Sequence, residues 1–390
     1  MEKFTSFRGK GILFIIFLFI LWFLNFAGRS IFSPILPLIE DEYLISHAKA
    51  TSILISMSVG YGLSVFFSGF FSGIFGYKKT IILSLVVTAA SFFLIFFFKM
   101  FSSLYIFCFI IGVATGVYLP AAIPLITNYY EEKNWSKAIA IHDTAASIGV
   151  FIVPIVAVFL LKFLEWRGIF SLLGIVFILA ALPIYFFIDE LKVKKISLAG
   201  FNSFIKSKPL WVLSIIWVFA ASCSVGVFFI IPLYLTKELH MDLDYANTIF
   251  GISRVGGFAF ALSAGLLAAR FNLQKLMALV LILSGIFTVL VSFANIKFMG
   301  VALFFQASII YGFFPLGLIA VSKLFDINVR SIATGFVLGF GITIGWGVAP
   351  YLLGLSGDHL SFRFGIMILG ILVILSSGLV YLLKDLQKYN

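Results

Sequence analysis

Twelve times in 390 residues the chain runs through a long, nearly unbroken apolar stretch. Each run reaches about 20 residues, the length an α-helix needs to cross the hydrocarbon core of a bilayer. The runs lie near 11–38, 46–70, 79–98, 102–127, 136–161 and 167–188, then near 209–235, 245–269, 273–294, 298–322, 329–353 and 361–383. Their continuity excludes an outer-membrane β-barrel, whose strands alternate polar and apolar residues. The expected fold class is an all-α integral membrane protein of twelve transmembrane helices, with the lipid bilayer as its first partner. Only 11% of the residues are charged, against roughly a quarter in a soluble domain, so little chain is left for a domain in water.

The runs fall into two sets of six. Gly69-Phe-Phe-Ser-Gly-Ile-Phe-Gly-Tyr-Lys-Lys79 follows the second run, and a weaker copy, Gly265-Leu-Leu-Ala-Ala-Arg-Phe-Asn-Leu-Gln-Lys275, stands 196 residues later. The same offset pairs Gly116 with Gly312, Gly149 with Gly345, Pro154 with Pro350 and Arg167 with Arg363. In a chain with 49 Phe, apolar coincidences mean nothing; repeated Gly, Pro and Arg at one offset do. The predicted organisation is an N-terminal six-helix bundle over 1–188, a linker over 189–208 and a pseudo-symmetric C-terminal bundle over 209–390. The linker is basic and reads as solvated chain, with Leu198–Ile205 as a candidate short interfacial helix.

The net charge of +11 is scattered through short loops rather than gathered in a patch, which excludes a nucleic-acid partner. Positive-inside topology accounts for it. With the N-terminus inside, eighteen Lys and Arg fall on the inner side, seven on the outer, and Arg29 and Arg254 within spans. Both termini are thus expected in the cytoplasm, with the protein in the plasma membrane (a bacterial inner membrane). Met1–Lys10 and the run behind it resemble a signal peptide, but no small-residue cleavage site follows, and the segment reads as the first span. Cys108 and Cys223 each lie in an apolar run and read as small hydrophobes. The acidic run Glu40, Asp41, Glu42 reads as a solvated outer loop.

An ionisable side chain inside a span costs about 2.5–3.5 kcal/mol on insertion scales and is a functional candidate by default. Arg29 shares a helical stripe with Trp22, Asn25 and Ser33; it reads either as facing water inside the protein or as reaching to lipid head groups. Arg254 shares a stripe with Asn247, Gly251, Phe258, Ala261 and Gly265. Its guanidinium is a fixed fork of donors suited to carboxylate, nitrate or phosphate oxygens; the competing reading is a buried ion pair with Asp143. His142 and Asp143 point about 100° apart on one helix. They read either as proton carriers or as interhelical glue beside an acid paired with Arg270 or Lys137. Tyr118, Gln306, Tyr311 and Trp346 are further polar candidates. No zinc spacing, phosphate loop, nucleophile elbow or catalytic carboxylate pair is present, so neither an enzyme nor a cofactor or metal is expected.

Twelve spans in two repeated halves, a basic central loop and a glycine–cation signature after span 2 resemble the major facilitator superfamily. There the loop after span 2 typically reads Gly, three residues, Asp, Arg or Lys, any residue, Gly, Arg, Lys or Arg. Gly69, Gly76 and Lys78 fit, with Lys79 behind them, while Gly73, Ile74 and Tyr77 replace the acid and two arginines. In the second copy Gly265, Arg270 and Lys275 are in keeping. The resemblance implies two bundles rocking about a midplane site, gating roles for these loop residues, spans 1, 5 and 8 near that site, and spans 3, 6, 9 and 12 outside. Arg29-Ser-Ile-Phe-Ser-Pro is similar to the first-span ending of anion and organophosphate carriers, and Arg254 resembles the span 8 arginine of oxalate- and nitrate-type carriers. Cys108 stands where proton-coupled drug antiporters usually keep an Arg.

The expected function is secondary active transport by alternating access of a small organic or inorganic anion, with proton coupling, by a monomer. Arg254, Arg29, Asn25, Ser33, Asn247, Tyr118, Gln306 and Tyr311 are the candidate substrate residues, and His142 and Asp143 the proton carriers. Export of a hydrophobic drug or metabolite is the alternative transporter reading. A non-transporting membrane receptor is the alternative of another class.

Overall fold

A computed structural model describes residues 4–189, 205–268, 270–325, 327–384 and 386. Among them secondary structure is helical, apart from an isolated bridge between Phe4 and Tyr130. Twelve helices are long and apolar enough to cross a membrane: spans 1 (Lys10–Tyr43), 2 (His47–Ser68), 3 (Tyr77–Phe97), 4 (Phe101–Tyr129), 5 (Glu132–Leu161) and 6 (Trp166–Phe186), then 7 (Lys208–Glu238), 8 (Leu243–Leu267), 9 (Leu273–Phe293), 10 (Ile296–Leu324), 11 (Ala333–His359) and 12 (Phe362–Leu382). The candidate interfacial helix at Leu198–Ile205 lies outside the described residues except for Ile205.

The helices overrun the apolar runs wherever polar ends are locally satisfied. Span 1 continues through Pro34 and Pro37 to Tyr43, so Glu40, Asp41 and Glu42 lie on a helix rather than in a solvated loop. Glu40 is buried, with its carboxylate 2.7 Å from His47 Nδ1 and 3.8 Å from Lys237 Nζ; Asp41 also meets Lys237. Asp41 and Glu42 are exposed, as a solvated run requires, while Glu40 departs from it because pairing with His47 and Lys237 removes the penalty of burying its charge.

The chain forms two compact units. The first holds Met1–Phe32 and Val59–Ser197, the second Ser33–Ser58 and Leu198–Asn390. The backbone passes from first to second inside span 1 and returns inside span 2.

In the first unit span 1 packs along span 5, and span 3 packs between spans 4 and 6. Gly149 of span 5 lies against the Phe26 ring, where an added Cβ would sit 2.7 Å from it, and Gly116 of span 4 lies against the Tyr61 backbone and Ser64. In the second unit span 7 packs along span 11, and span 9 between spans 10 and 12. There Gly345 of span 11 meets Ala221 of span 7, and Gly312 of span 10 meets Ala264 of span 8. So the glycines paired by the 196-residue offset serve matching crossings in their own units. Helices in lipid lack a hydrophobic drive to associate and gain most from close backbone approach. Large apolar side chains on spans 3, 6, 9 and 12, such as Phe97, Leu179, Phe293 and Leu375, remain exposed. That is the surface lipid requires.

One end of the second unit is held by charge. Asp358 of span 11 accepts from the backbone N–H groups of His47 and Ala48 (2.8 and 2.9 Å), capping the first turn of span 2 where the helix dipole favours a negative charge. Glu238 at the end of span 7 accepts from Phe362 N at 2.5 Å and faces Arg363 Nε at 3.6 Å.

Gly345→Ala places a Cβ 2.5 Å from that of Ala221, overpacking expected to destabilise by about 1–3 kcal/mol. Gly335→Ala, where nothing lies within 4 Å, is the control. Thermal unfolding of the detergent-purified protein checks the difference.

Candidate functional site

In the first unit the polar stripe of span 1 is built around Asn25. Span 4 breaks at Val117, between helical pieces Phe101–Gly116 and Tyr118–Tyr129, with Pro120 just beyond. Asn25 Nδ2 donates to the Thr115 carbonyl beside that break, at 3.1 Å. Its Oδ1 accepts from the Arg29 guanidinium at 3.3 Å, and its carbonyl faces Arg29 Nε at 3.4 Å. Arg29 is 3% exposed, so it does not reach out to head groups, and its guanidinium lies 4.4 Å from the centroid of the Tyr61 ring. Burial of a cation is here offset by an amide and by aromatic faces.

One turn earlier, Trp22 begins a group of three nearly parallel rings. Its centroid is 5.5 Å from that of Tyr118 and 5.8 Å from that of His142, with interplanar angles of 6° and 15°. Tyr118 Oη donates to the Leu18 carbonyl at 3.1 Å and lies 3.3 Å from His142 Nε2. His142 is fully buried, on a face with Ala138, Ala145 and Gly149 that packs on span 1, while Asp143 is exposed. The structure therefore separates the two neighbours as their 100° offset predicts.

In the second unit Arg254 sits where span 8 stops being a regular α-helix. Helix Leu243–Ile252 gives way to a turn before helix Gly257–Leu267. In that turn Arg254 N donates to Gly251 O (3.0 Å), Val255 N to Ile252 O (3.2 Å) and Gly257 N to Arg254 O (3.2 Å), the tighter three-residue pattern that often marks functional positions in helices. Gly256 and Gly257 let span 10 close on the turn, against Ser308, Phe304 and Tyr311. Arg254 is 3% exposed and packs between the Phe250 and Phe228 rings, 4.9 and 5.4 Å from their centroids. Among the described residues its three guanidinium nitrogens have no hydrogen-bond partner and no acid faces it; its electrostatic neighbours are Tyr311 and Cys223.

Close by, Gln306 donates to the Cys223 carbonyl at 2.7 Å while its own Oε1 is unpartnered. Cys223, read from the sequence as a plain hydrophobe, also places Sγ 3.2 Å from the Thr288 hydroxyl. Asn247 Nδ2 donates to the Pro34 carbonyl at 3.1 Å and leaves Oδ1 unpartnered. Ser33, expected beside Arg29, belongs instead to the second unit and donates to the Phe228 carbonyl at 2.7 Å. That carbonyl needs an outside donor because Pro232, one turn on, has no N–H to offer.

The loop residues differ among themselves. Gly76 has φ 80°, a backbone that favours glycine, and alone separates helix His47–Phe75 from span 3. Gly69 lies inside that helix. Lys78 donates to the Tyr185 carbonyl at 2.8 Å, tying span 3 to the end of span 6, and Lys79 is one helical position on. Gly265 is inside a helix with open space around it, Arg270 is in the turn after span 8, and the Lys275 N–H caps onto Asn272 at 3.0 Å.

The Major Facilitator Superfamily sequence profile matches residues 18–258 and 226–388, nearly the whole chain. The chain belongs to the major facilitator superfamily. Its members' fold is also the one found among solved structures. A bacterial homolog of the human lysosomal transporter Spinster, inward-facing and occupied, superposes with a TM-score of 0.82 at 13% identity over 96% of both chains. A D-xylose-proton symporter gives 0.74 at 17% identity over 95% of this chain and 97% of that one. In sequence, a hexuronate transporter of Bacillus subtilis is 24% identical over 277 residues, 67% of this chain. A bicyclomycin resistance protein homolog of Haemophilus influenzae is 24% identical over 223 residues, 56% of each chain. The match spans 65% of the hexuronate transporter's length. Several of the proteins it matches are named as transporters.

Of the residues expected to line a site, the first unit gathers Asn25, Arg29, Tyr118 and His142, and the second gathers Ser33, Asn247, Arg254, Gln306 and Tyr311. Sequence reasoning passed over Tyr61, Cys223, Phe228 and Phe250. The signal that could have found the last two is Pro232 and the Gly251-Ile-Ser-Arg-Val-Gly-Gly257 run, which mark where spans 7 and 8 lose regular backbone bonding.

Removing the Ser33 hydroxyl strands the Phe228 carbonyl, so Ser33→Ala is expected to destabilise by about 1–3 kcal/mol. In a Pro232→Ala background residue 232 regains an N–H and the loss should shrink. A double-mutant cycle read by thermal unfolding checks it.

Proposed function

We propose that the protein is a secondary active transporter, working by alternating access, for a small anion whose charge is met by Arg254. One observation carries the reading: a buried arginine with no acid and no hydrogen bond on its fork among the described residues, at the interrupted turn of span 8. A buried cation without a partner is costly, and an anion that arrives and leaves supplies the missing charge and up to a bidentate pair of bonds. The hexuronate transporter's partial likeness favours a carboxylate. Arg29, held by Asn25 and stacked on Tyr61, is the second cation proposed for the anion's path, with Asn247, Gln306 and Tyr311 as polar neighbours of Arg254 and Tyr118 in the first unit.

Proton coupling is assigned to the His142–Asp143 pair of span 5. A proton carried with the anion reduces the net charge moved against an inside-negative potential, worth about 2.3 kcal/mol per charge per 100 mV. Both termini are placed in the cytoplasm on the eighteen-to-seven distribution of Lys and Arg, in the plasma membrane of a bacterium. The 1–188 and 209–390 halves are the proposed mobile bundles, the protein acts as a monomer, and Gly69, Gly76, Lys78, Lys79, Gly265, Arg270 and Lys275 are the proposed gating segments.

Purified protein in liposomes, offered nitrate, oxalate, hexuronates and sugar phosphates with and without a pH gradient, tests this. Uptake of at least one anion is expected, with Arg254→Gln reducing it at least about a hundredfold and Arg254→Lys, a point charge without the fork, less severely. Movement of neutral or cationic compounds alone, or full anion uptake by Arg254→Gln, would overturn it in favour of export of a hydrophobic compound.

A further inference from the structure

Among the buried polar atoms of the first unit without a hydrogen-bond partner, two lie on facing rings and differ in chemistry. Tyr118 Oη carries a single proton. Its neighbours are the Leu18 carbonyl at 3.1 Å, which can only accept, and His142 Nε2 at 3.3 Å. With the phenol proton given to Leu18, His142 takes the tautomer in which Nε2 carries the hydrogen that reaches the phenol oxygen. In neutral His142 the lone pair then falls on Nδ1, buried and without a partner among the described residues. Trp22 Nε1–H, only ever a donor, is likewise buried and unpartnered. The two rings lie nearly parallel with centroids 5.8 Å apart, and the Tyr118 ring holds both in place, at 6° to one and 10° to the other.

Trp22 is 5% exposed and His142 not at all, so bulk water does not satisfy either atom. The charged groups around them do not match them either. The Arg29 guanidinium faces the flat of the Trp22 ring, 5.9 Å from its centroid, rather than the N–H. Asp143, exposed on the next face of span 5, interacts with the indole N–H but lies outside good hydrogen-bond geometry with it.

An orphan donor beside an orphan acceptor selects a group that does both. Carboxylate, nitrate and fully ionised phosphate only accept, and an ammonium only donates; a hydroxyl accepts and donates through one atom. We infer that Trp22 and His142 form a hydroxyl-recognising subsite, in which a hydroxyl of a polyol- or sugar-like solute accepts from Trp22 Nε1–H and donates to His142 Nδ1. The inference deepens the carrier reading by naming a feature of the solute. It rests on the protein's binding a small solute and not on that solute's being an anion.

The test is binding to the full-length protein in detergent, read as ligand-induced thermal stabilisation. The probes are hydroxylated solutes paired with counterparts that lack the hydroxyls: gluconate with hexanoate, glycerate with propionate, and glucose as a neutral hydroxylated solute. At least one hydroxylated solute is expected to bind at least about tenfold tighter than its counterpart, because a site built around a hydroxyl rejects the analogue that leaves its polar atoms unpaired. Trp22→Phe should bring that ratio towards one. His142→Gln, whose amide can still reach Tyr118 but offers nothing at the Nδ1 position, should do the same. His142→Asn, which restores an acceptor there, should keep most of it.

No preference for hydroxylated solutes in the wild type would overturn the inference. So would Trp22→Phe and His142→Gln weakening both members of a pair equally, the result expected if the two atoms share a trapped structural water. Because the readout is a ratio within one preparation, moderate loss of stability does not obscure it. Binding of glucose with no binding of gluconate would sink the anion reading and leave the hydroxyl subsite standing; the reverse failure is equally visible.

Discussion

Lipid offers no hydrogen bonds, and that constraint organises the molecule. Every polar group carried into a span must be answered by the protein itself or by something the protein binds. Many are answered by the helix: the Thr88 and Thr115 hydroxyls each bond a carbonyl one turn back. Where proline or a turn interrupts the ladder, side chains from other helices take over. Asn25 serves the break in span 4, Ser33 the carbonyl left by Pro232, and Asn247 the carbonyl of Pro34. These are the points where neighbouring helices of a unit are registered against each other, so backbone irregularity and tertiary specificity have one cause.

Against that background the unanswered groups stand out. Arg254 in the second unit, and Trp22 with His142 in the first, are deep in their units and lack partners among the described residues. Several buried hydroxyl, indole and amide atoms also lack a partner among the described residues, but a whole guanidinium fork is the costliest of them to leave open. Aromatic faces from Phe228 and Phe250 make the cation tolerable without neutralising it. Under the proposed function this suits binding and release, since a permanent acid would compete with an anion and bare hydrocarbon would not hold the charge. The fold alone cannot supply this argument, since the same twelve-helix scaffold carries many different solutes and function lives in the site.

The same logic explains the repeat. Gly149 and Gly345 permit the crossing of spans 1 with 5 and 7 with 11, and Gly116 and Gly312 the crossing of spans 4 with 2 and 10 with 8. Symmetry is kept where helices must touch and is absent at Arg254. Ser58, the repeat counterpart of Arg254, simply donates to the Thr343 carbonyl at 3.1 Å. The charged cluster of Glu40, His47, Lys237 and Asp358 gathers at one end of the second unit, where polar groups are cheap and can hold helix ends together.

Apolar run length, glycine spacing and the position of cations were enough to establish twelve spans, the repeat and the arginines worth attention, because crossing a bilayer imposes a length and forbids unpaired charge. Local sequence also separated His142 from Asp143, since helix geometry fixes the angle between adjacent residues. It could not say that Glu40 and Asp41 lie on a helix end paired with Lys237, nor that Ser33 parts company with Arg29. It could not say that Arg254 sits on a broken turn between two rings. Those facts depend on which helix faces which. Partners brought together from positions about 200 residues apart, such as Ser33 with Phe228 or Asp41 with Lys237, leave no periodicity in the chain. Only the packed structure decides whether a buried polar atom is answered from within or left waiting for a solute.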